Sequence, residues 1–249
     1  MHHREAKDHV VLITGGARGI GAATADRLVA SGARVMISDV LDEEGQALAE
    51  RLGDQAAYVG LDVTDASQWA AAVQATEQAF GSLTALFNNA GIVEFSNVEA
   101  CTPEDFERVM AINVTGCFLG IQAAAPAMKR AGHGVIINNS STAGMQGYAG
   151  LAAYVTSKWA VRGMTKAAAL DLARDQIRVV SLHPGPIETP MTERLPKEMA
   201  ATQPIDRFGV PEEVARMVQF LICEASYSTG SEFVIDGGAL VGSLAPVKG

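Results

Sequence analysis

A tyrosine and a lysine four residues apart, Tyr154 and Lys158 in the run Tyr-Val-Thr-Ser-Lys, lie in a stretch with helical patterning. Positions i and i+4 share a helix face, so phenol and ammonium point toward one ligand. A free phenol has a pKa of about 10, and a neighbouring cation stabilises phenolate and brings the group within reach of acid/base work near neutrality. Ser141 comes 13 residues earlier, in the turn Ser140-Ser141-Thr142-Ala143-Gly144. There its hydroxyl is able to polarise a carbonyl or steady an alkoxide. Asn113 falls inside a helical stretch, where asparagine is a poor interior residue because its side chain competes for backbone hydrogen bonds. Each residue alone has an ordinary explanation: a surface Tyr–Lys pair, a turn-capping serine, an exposed helix position. The positions carry weight jointly.

A second group has the chemistry of phosphate and ribose binding. Thr14-Gly15-Gly16-Ala17-Arg18-Gly19-Ile20-Gly21 joins an apolar strand-like run to a helical one. Gly15 suits the tight turn, Gly19 lets backbone approach a pyrophosphate, and Gly21 permits close helix–strand packing. The helix that starts at Gly19 and Ile20 offers free N–H groups and the positive end of its dipole. The spacing is GxxxGxG rather than GxGxxG, so the turn needs its context, and a tight turn without a ligand is the other reading. Asp39 follows the second strand-like run, 18 residues past Gly21. A carboxylate there accepts both ribose hydroxyls of an adenosine and repels a 2′-phosphate, which favours NAD over NADP. Arg18 is the counter-signal, since a guanidinium in the turn meets such a phosphate well, and a solvated loop acid is the alternative for Asp39. Asp62-Val63 ends the third strand-like run, where it is placed to hold the adenine edge or is an ordinary strand terminus.

Positioning these groups requires alternating elements. Apolar runs predict strands over 10–13, 35–39, 58–61, 83–87, 135–138, 177–182 and 232–235. Amphipathic patterns predict helices over 19–31, 42–52, 65–80, 103–129, 151–174 and 211–222. Thr102-Pro103-Glu104-Asp105 supplies an N-cap, a first-turn proline and early acids. Strands alternating with long helices imply parallel pairing, and nearly unbroken apolar strands suit a sheet covered on both faces. The fold expected is α/β, a single doubly wound parallel sheet with helices on both faces, with 1–249 as one domain.

Composition narrows the function classes. The chain of 249 residues is 48% hydrophobic and 19% charged, with a formal net charge of −9. That balance is too apolar for disorder and argues against a nucleic-acid face or a polybasic membrane anchor. The expectation is no nucleic acid, no membrane, no bound metal, and no apolar run approaching the length that spans a bilayer. Cys101, Cys117 and Cys223 have neither zinc nor redox-pair spacing and read as reduced thiols. The N-terminus does not read as a signal peptide, and the expected location is cytoplasmic.

With the glycine turn, Asn88-Asn89-Ala90-Gly91, Asn113, Ser141, Tyr154/Lys158 and Pro184-Gly185 in this order, residues 8–238 resemble the short-chain dehydrogenase/reductase family. The resemblance implies a Rossmann-type fold and reversible oxidation of a hydroxyl with a nicotinamide cofactor, here NAD. It implies that Tyr154 is the acid/base and Ser141 the carbonyl-orienting hydroxyl. Lys158 would bind the nicotinamide ribose and lower the tyrosine pKa, and Asn113 would hold a water linking the lysine to solvent. Asn89, Ala90 and Gly91 correspond to the turn beside the adenosine ribose. Pro184, Gly185, Ile187 and Thr189 correspond to the segment clasping the nicotinamide carboxamide. His183, where many relatives carry asparagine, reads as structural rather than as a second base.

The runs 154–163 and 226–230, with Asp236-Gly237-Gly238, are similar to those of bacterial 3- and 20-hydroxysteroid dehydrogenases within the family. This points to a steroid-like alcohol or ketone; a broad secondary-alcohol dehydrogenase or a 3-oxoacyl reductase is the alternative. An acyl-carrier substrate favours a basic rim and NADPH, and the acidic balance with Asp39 counts against it. A catalytically idle NAD-binding regulatory protein is the reading from another class, and the presence of Ser141, Tyr154 and Lys158 opposes it. Residues 190–208 correspond to a mobile substrate lid carrying Met191, Leu195, Met199, Ile205 and Phe208. Phe95, Met145, Tyr148 and Leu151 are further candidates for the same cleft. The family's habit of pairing its long helices implies a homotetramer, with an apolar tail over 239–249 either against a neighbour or frayed.

Overall fold

In the computed structural model, which describes residues 4–201, 203–242 and 244, seven parallel strands form one sheet. The strands are β1 Val10–Thr14, β2 Arg34–Asp39, β3 Ala56–Gly60, β4 Ala85–Asn88, β5 Gly134–Asn139, β6 Ile177–Pro184 and β7 Glu232–Ile235. Their spatial order is β3-β2-β1-β4-β5-β6-β7. The chain winds outward from β1 in one direction and from β4 in the other, so the crevice between the ends of β1 and β4 is the topological switch point where such sheets bind ligands.

Both faces of the sheet are covered, and the strand period of two divides the core. Val11 and Ile13 of β1, Ala85 and Phe87 of β4, and Val135 and Ile137 of β5 pack on one side. There they meet α1 (Gly19–Ala30) through Ala25 and Leu28, and α7 (Pro211–Cys223) through Val214, Val218 and Leu221. Leu12, Leu86 and Ile136 turn to the other side. They join Trp69 and Val73 of α3 (Ala66–Phe80) and Val161 and Leu172 of α6 (Ala152–Leu172). Such two-sided burial accounts for the unbroken apolar runs. A short helix, α2 (Asp42–Leu52), links β2 to β3.

The helix expected over 103–129 runs from Pro103 to Ala131, as α4 (Pro103–Met110), one wide π turn (Ala111–Thr115) and α5 (Gly116–Ala131). Thr102 caps it by accepting from the Asp105 N–H. By length and composition this 29-residue helix could cross a bilayer, with mean hydropathy 1.4 over its best window, which corrects the expectation that no run approaches that length. Here Cys117, Ile121, Ala124, Ala125 and Met128 are buried in the core beneath the sheet. Part of the expected tail, residues 243 and 245–249, lies outside the described residues. Just before it, the Asp236 carboxylate accepts from the Gly238 and Leu240 N–H groups (2.8 and 2.9 Å).

Candidate active site

The carboxyl ends of β1, β2, β4, β5 and β6 open into a cleft of about 530 Å³. At its floor the glycine turn has the left-handed backbone that its glycines permit, with φ +59° at Gly15 and +54° at Gly19. A Cβ on Gly21 would lie 2.1 Å from the Gly15 carbonyl oxygen, so only hydrogen fits where α1 meets the turn. Among the described residues no side chain caps α1, which leaves its first-turn N–H groups and positive dipole end facing the cleft beside Gly19 and Ile20.

Asp39 stands at the end of β2 on the cleft wall. Its Oδ2 accepts from the Ala17 N–H (3.0 Å), and its Oδ1 accepts from Val40 and Leu41 (2.8 and 3.2 Å). The acid is therefore pinned, not a solvated loop carboxylate. Arg18 also lines the cleft, but its guanidinium pairs with Glu44 of α2. Asp62 and Val63 line the same wall; the Asp62 carboxylate accepts from the Thr64 N–H and hydroxyl (2.9 and 2.7 Å). Asn89, Ala90 and Gly91 border the cleft too. The Asn89 amide is spent on structure, donating to the Thr14 and Gly15 carbonyls (3.0 and 2.9 Å) and tying the end of β4 to the glycine turn.

Ser141 follows β5 in extended backbone and caps the turn Thr142–Gly144, its Oγ accepting from the Ala143 N–H (3.1 Å). That bond leaves the hydroxyl proton free for a substrate oxygen. Tyr154 and Lys158 project from the first turns of α6 into the cleft, the ammonium 5.4 Å from the phenol ring centre. Lys158 is 5% exposed and donates to the Asn139 carbonyl (2.8 Å). Burial lowers its pKa to about 8. Sequence reasoning expects Lys158 to pull the phenol down. Instead burial dominates and pushes the Tyr154 pKa up, with the Ser141 hydroxyl acting in the opposite direction. Removing both groups from water disfavours the charged form of each.

Asn113 occupies the π turn and is buried, not an exposed helix position. Its Oδ1 accepts from the Ile92 N–H (2.8 Å), and its Nδ2 donates to the Ile92 carbonyl (2.9 Å) and the Ser157 hydroxyl (3.0 Å). It thus staples the loop after β4 to α6. Beside it a chamber of about 10 Å³, bordered by Asn88, Cys117 and Asn139, is close to the space one water needs. The Oδ1 atoms of Asn88 and Asn139 are buried there without partners among the described residues. Pro184, Gly185, Ile187 and Thr189 complete the far wall. Thr189 comes just before the segment 190–208, and its Cγ2 would lie 3.2 Å from a Cβ on Gly19.

Several expectations about the substrate side change. Met191 lines the cleft, with Ile92, Ile112 and Thr192, whereas Phe95, Met145, Tyr148 and Leu151 do not. Phe95 is half exposed, and Tyr148 donates to the Thr142 hydroxyl (3.0 Å) and accepts from Gln146 (2.7 Å). Within residues 190–208, Met199 and Ile205 are exposed while Phe208 is buried. Sequence reasoning missed Asn139, whose Nδ2 donates to Asn89 (2.9 Å) and whose carbonyl holds Lys158. Two asparagines closing a buried apolar strand were the available signal.

An open helix N-terminus, a pinned acid at the end of β2 and a phenol–ammonium pair on one cleft fit a dinucleotide with a reacting alcohol. Residues 9–200 match the short chain dehydrogenase family. The chain belongs to that family. It is 47% identical, over 94% of its length and 90% of the relative's, to a 3-alpha-(or 20-beta)-hydroxysteroid dehydrogenase of Mycobacterium tuberculosis H37Rv. Identity is 45% with a trans-4-hydroxycyclohexanecarboxylate dehydrogenase of Sinomonas cyclohexanicum (95% and 94% covered). It is 43% with a cyclopentanol dehydrogenase of Comamonas testosteroni (93% and 96% covered). This family member is an oxidoreductase acting on CH–OH groups, and its family typically binds a nicotinamide cofactor.

Proposed function

We propose that the chain is an NAD-dependent dehydrogenase that interconverts a secondary alcohol and a ketone on a bulky apolar ring substrate of hydroxysteroid type. The observation that carries this reading is the convergence of Ser141, Tyr154 and Lys158 on one cleft with the glycine turn. The α1 N-terminus would hold the pyrophosphate, Asp39 the adenosine ribose, and Lys158 the nicotinamide ribose. NAD supplies the acceptor for the hydride. Ser141 donates to the substrate oxygen, and Tyr154 removes the hydroxyl proton in oxidation and returns it in reduction. Lys158 holds positive charge beside the phenol, and Asn113 keeps the π turn and the start of α6 in register.

Asp39 supports NAD, since a 2′-phosphate would meet a fixed carboxylate while the nearest guanidinium is already paired. The substrate class is supported by the apolar Ile92, Ile112 and Met191 on the cleft wall and by relatives whose names all specify ring alcohols. The cyclopentanol relative makes a small cyclic alcohol the second reading. For assembly we infer a homotetramer, because Phe106, Phe118, Trp159 and Leu170 leave apolar surface on the long helices. A cytoplasmic location is in keeping with three free cysteines. No nucleic-acid or membrane partner is part of the proposal.

The test is reduced-nicotinamide formation with 3α- and 20β-hydroxysteroids, cyclohexanols and cyclopentanol, using NAD and NADP separately. Tyr154→Phe should lose roughly 100-fold or more in kcat while its NAD dissociation constant stays within about threefold. Wild-type-like turnover in that variant would assign the proton transfer to another group. Asp39→Ala should narrow the preference for NAD over NADP at least tenfold; an unchanged ratio would remove Asp39 from cofactor choice.

A further inference from the structure

His183 is fully buried in β6, and both of its ring nitrogens are engaged. Nδ1 lies 3.0 Å from the carbonyl oxygen of Ser141, and Nε2 lies 2.8 Å from the Ser181 hydroxyl. A carbonyl oxygen only accepts, so Nδ1 must carry the proton and donate. In the neutral ring Nε2 is then a lone pair, which accepts from the Ser181 O–H. Ser181 is itself fully buried, and its hydroxyl, able to donate or accept, completes the tautomer that the Ser141 carbonyl sets.

The carbonyl that His183 holds belongs to the residue whose hydroxyl faces the cleft. Around it the backbone is tied in three further places. The Ser140 N–H donates to the Leu182 carbonyl (2.7 Å), and the Ser140 hydroxyl donates to the Lys158 carbonyl (3.1 Å). At the far end of the turn Arg162 reaches the Gly144 carbonyl (3.4 Å) while its other nitrogens pair with Glu232 (2.7 and 3.0 Å). The Ser141 carbonyl itself also accepts from the Gly144 N–H within the turn (2.9 Å). Among the described side chains, His183 supplies the second donor to that carbonyl, and ties it across to β6. A hydroxyl that must donate to a developing oxyanion loses much of its value when displaced by about 1 Å.

We propose that His183 is a positioning residue for the reaction: through its Nδ1–H it holds the Ser141 carbonyl and so aims the Ser141 hydroxyl at the substrate oxygen, with the Ser181 hydroxyl satisfying Nε2. The proposal rests on the reading of Ser141 as the substrate-orienting hydroxyl. It assigns His183 no contact with substrate and no share in proton transfer.

Three variants of the full chain separate the possibilities, assayed with NAD and a 3α-hydroxysteroid and, in parallel, with cyclopentanol. His183→Leu keeps an apolar side chain in the site but lacks the donor. It should lose on the order of tenfold in kcat with the NAD dissociation constant within about twofold. His183→Asn, whose amide nitrogen stands close to where Nδ1 stood, should recover kcat to within about threefold of the parent. Ser141→Ala is the control: if it retains full turnover, the proposed function fails rather than the role of His183. If Ser141→Ala is impaired but His183→Leu is not, the positioning role is overturned. Equal loss in His183→Leu and His183→Asn overturns it as well, because packing alone would then explain the site. Nitrogen-15 spectra of the unmodified protein give a readout that does not depend on the variants folding. They should show His183 as the Nδ1–H tautomer, and an Nε2–H tautomer would refute the hydrogen bond outright.

Discussion

Removing the buried ammonium should make the fold more stable while destroying its chemistry. Lys158 is 5% exposed, and burial lowers its pKa to about 8, against about 10.4 for a lysine in the unfolded chain. The gap corresponds to about 3 kcal/mol by which the folded state disfavours the charged form at neutral pH. Lys158→Met deletes that cost and also deletes the charged hydrogen bond to the Asn139 carbonyl, worth roughly 1.5–3 kcal/mol. The net change at pH 7 is therefore a gain between about zero and 2 kcal/mol. The pH dependence is cleaner, because the lost hydrogen bond enters it only as an offset. Between pH 8 and pH 10.4 the unfolded chain binds the proton that the folded one has released, so the parent's stability rises with pH relative to the variant's. Urea unfolding of both proteins at pH 7 and pH 10 should show the variant's advantage shrinking by about 2 kcal/mol. A stability difference that stays constant across that range would mean that Lys158 is not held in a desolvating site. Turnover should meanwhile fall by orders of magnitude at every pH.

Two further outcomes follow from groups away from the reacting atoms. His9 is 3% exposed, and burial, with His133 and Arg4 adding repulsion, lowers its pKa to about 4. Its folded value lies below the unfolded one of about 6.5, so stability is full above that pH and is lost on acidification toward 4, by about 3 kcal/mol in total. Acid unfolding of the parent and of His9→Gln should diverge over that window, and parallel curves would refute the assignment. Gly21→Ala should abolish NAD binding or folding, since its Cβ would meet the Gly15 carbonyl oxygen at 2.1 Å. Equilibrium dialysis showing parental NAD affinity in a folded variant would count against a closely packed glycine turn.

The same features explain why the site sits where it does. Parallel strands deliver all their carboxyl ends to one edge of the sheet, and the reversal between β1 and β4 leaves a crevice there. The glycine turn, the end of β2, the loop after β5 and the start of α6 reach that edge from separate parts of the chain. Each is rigid at its base: Asp39 through three backbone donors, Ser141 through Ala143 and His183, Lys158 through Asn139. Burial at the base of the cleft raises the proton affinity of the phenol and lowers that of the ammonium.

Local periodicity was legible in the sequence because it is written into neighbouring residues. Apolar runs and amphipathic stretches marked the seven strands and their crossover helices, and the i, i+4 spacing of Tyr154 and Lys158 placed both on one helix face. The glycine turn, the acid at the end of β2 and the family resemblance came from the same short-range signals. Other features were decided only by residues distant in the chain. Asn113 proved to be a buried staple between Ile92 and Ser157, and Arg18 was drawn to Glu44. Phe95 and Tyr148 fell outside the cleft, while Asn139 and His183 became supports of Lys158 and Ser141. Hydrogen-bond partners and burial depend on what the folded chain brings alongside, and no periodicity encodes that. The directions of the Tyr154 and Lys158 proton affinities belong with them, because the dielectric around a group is set by the whole fold and not by its sequence neighbours.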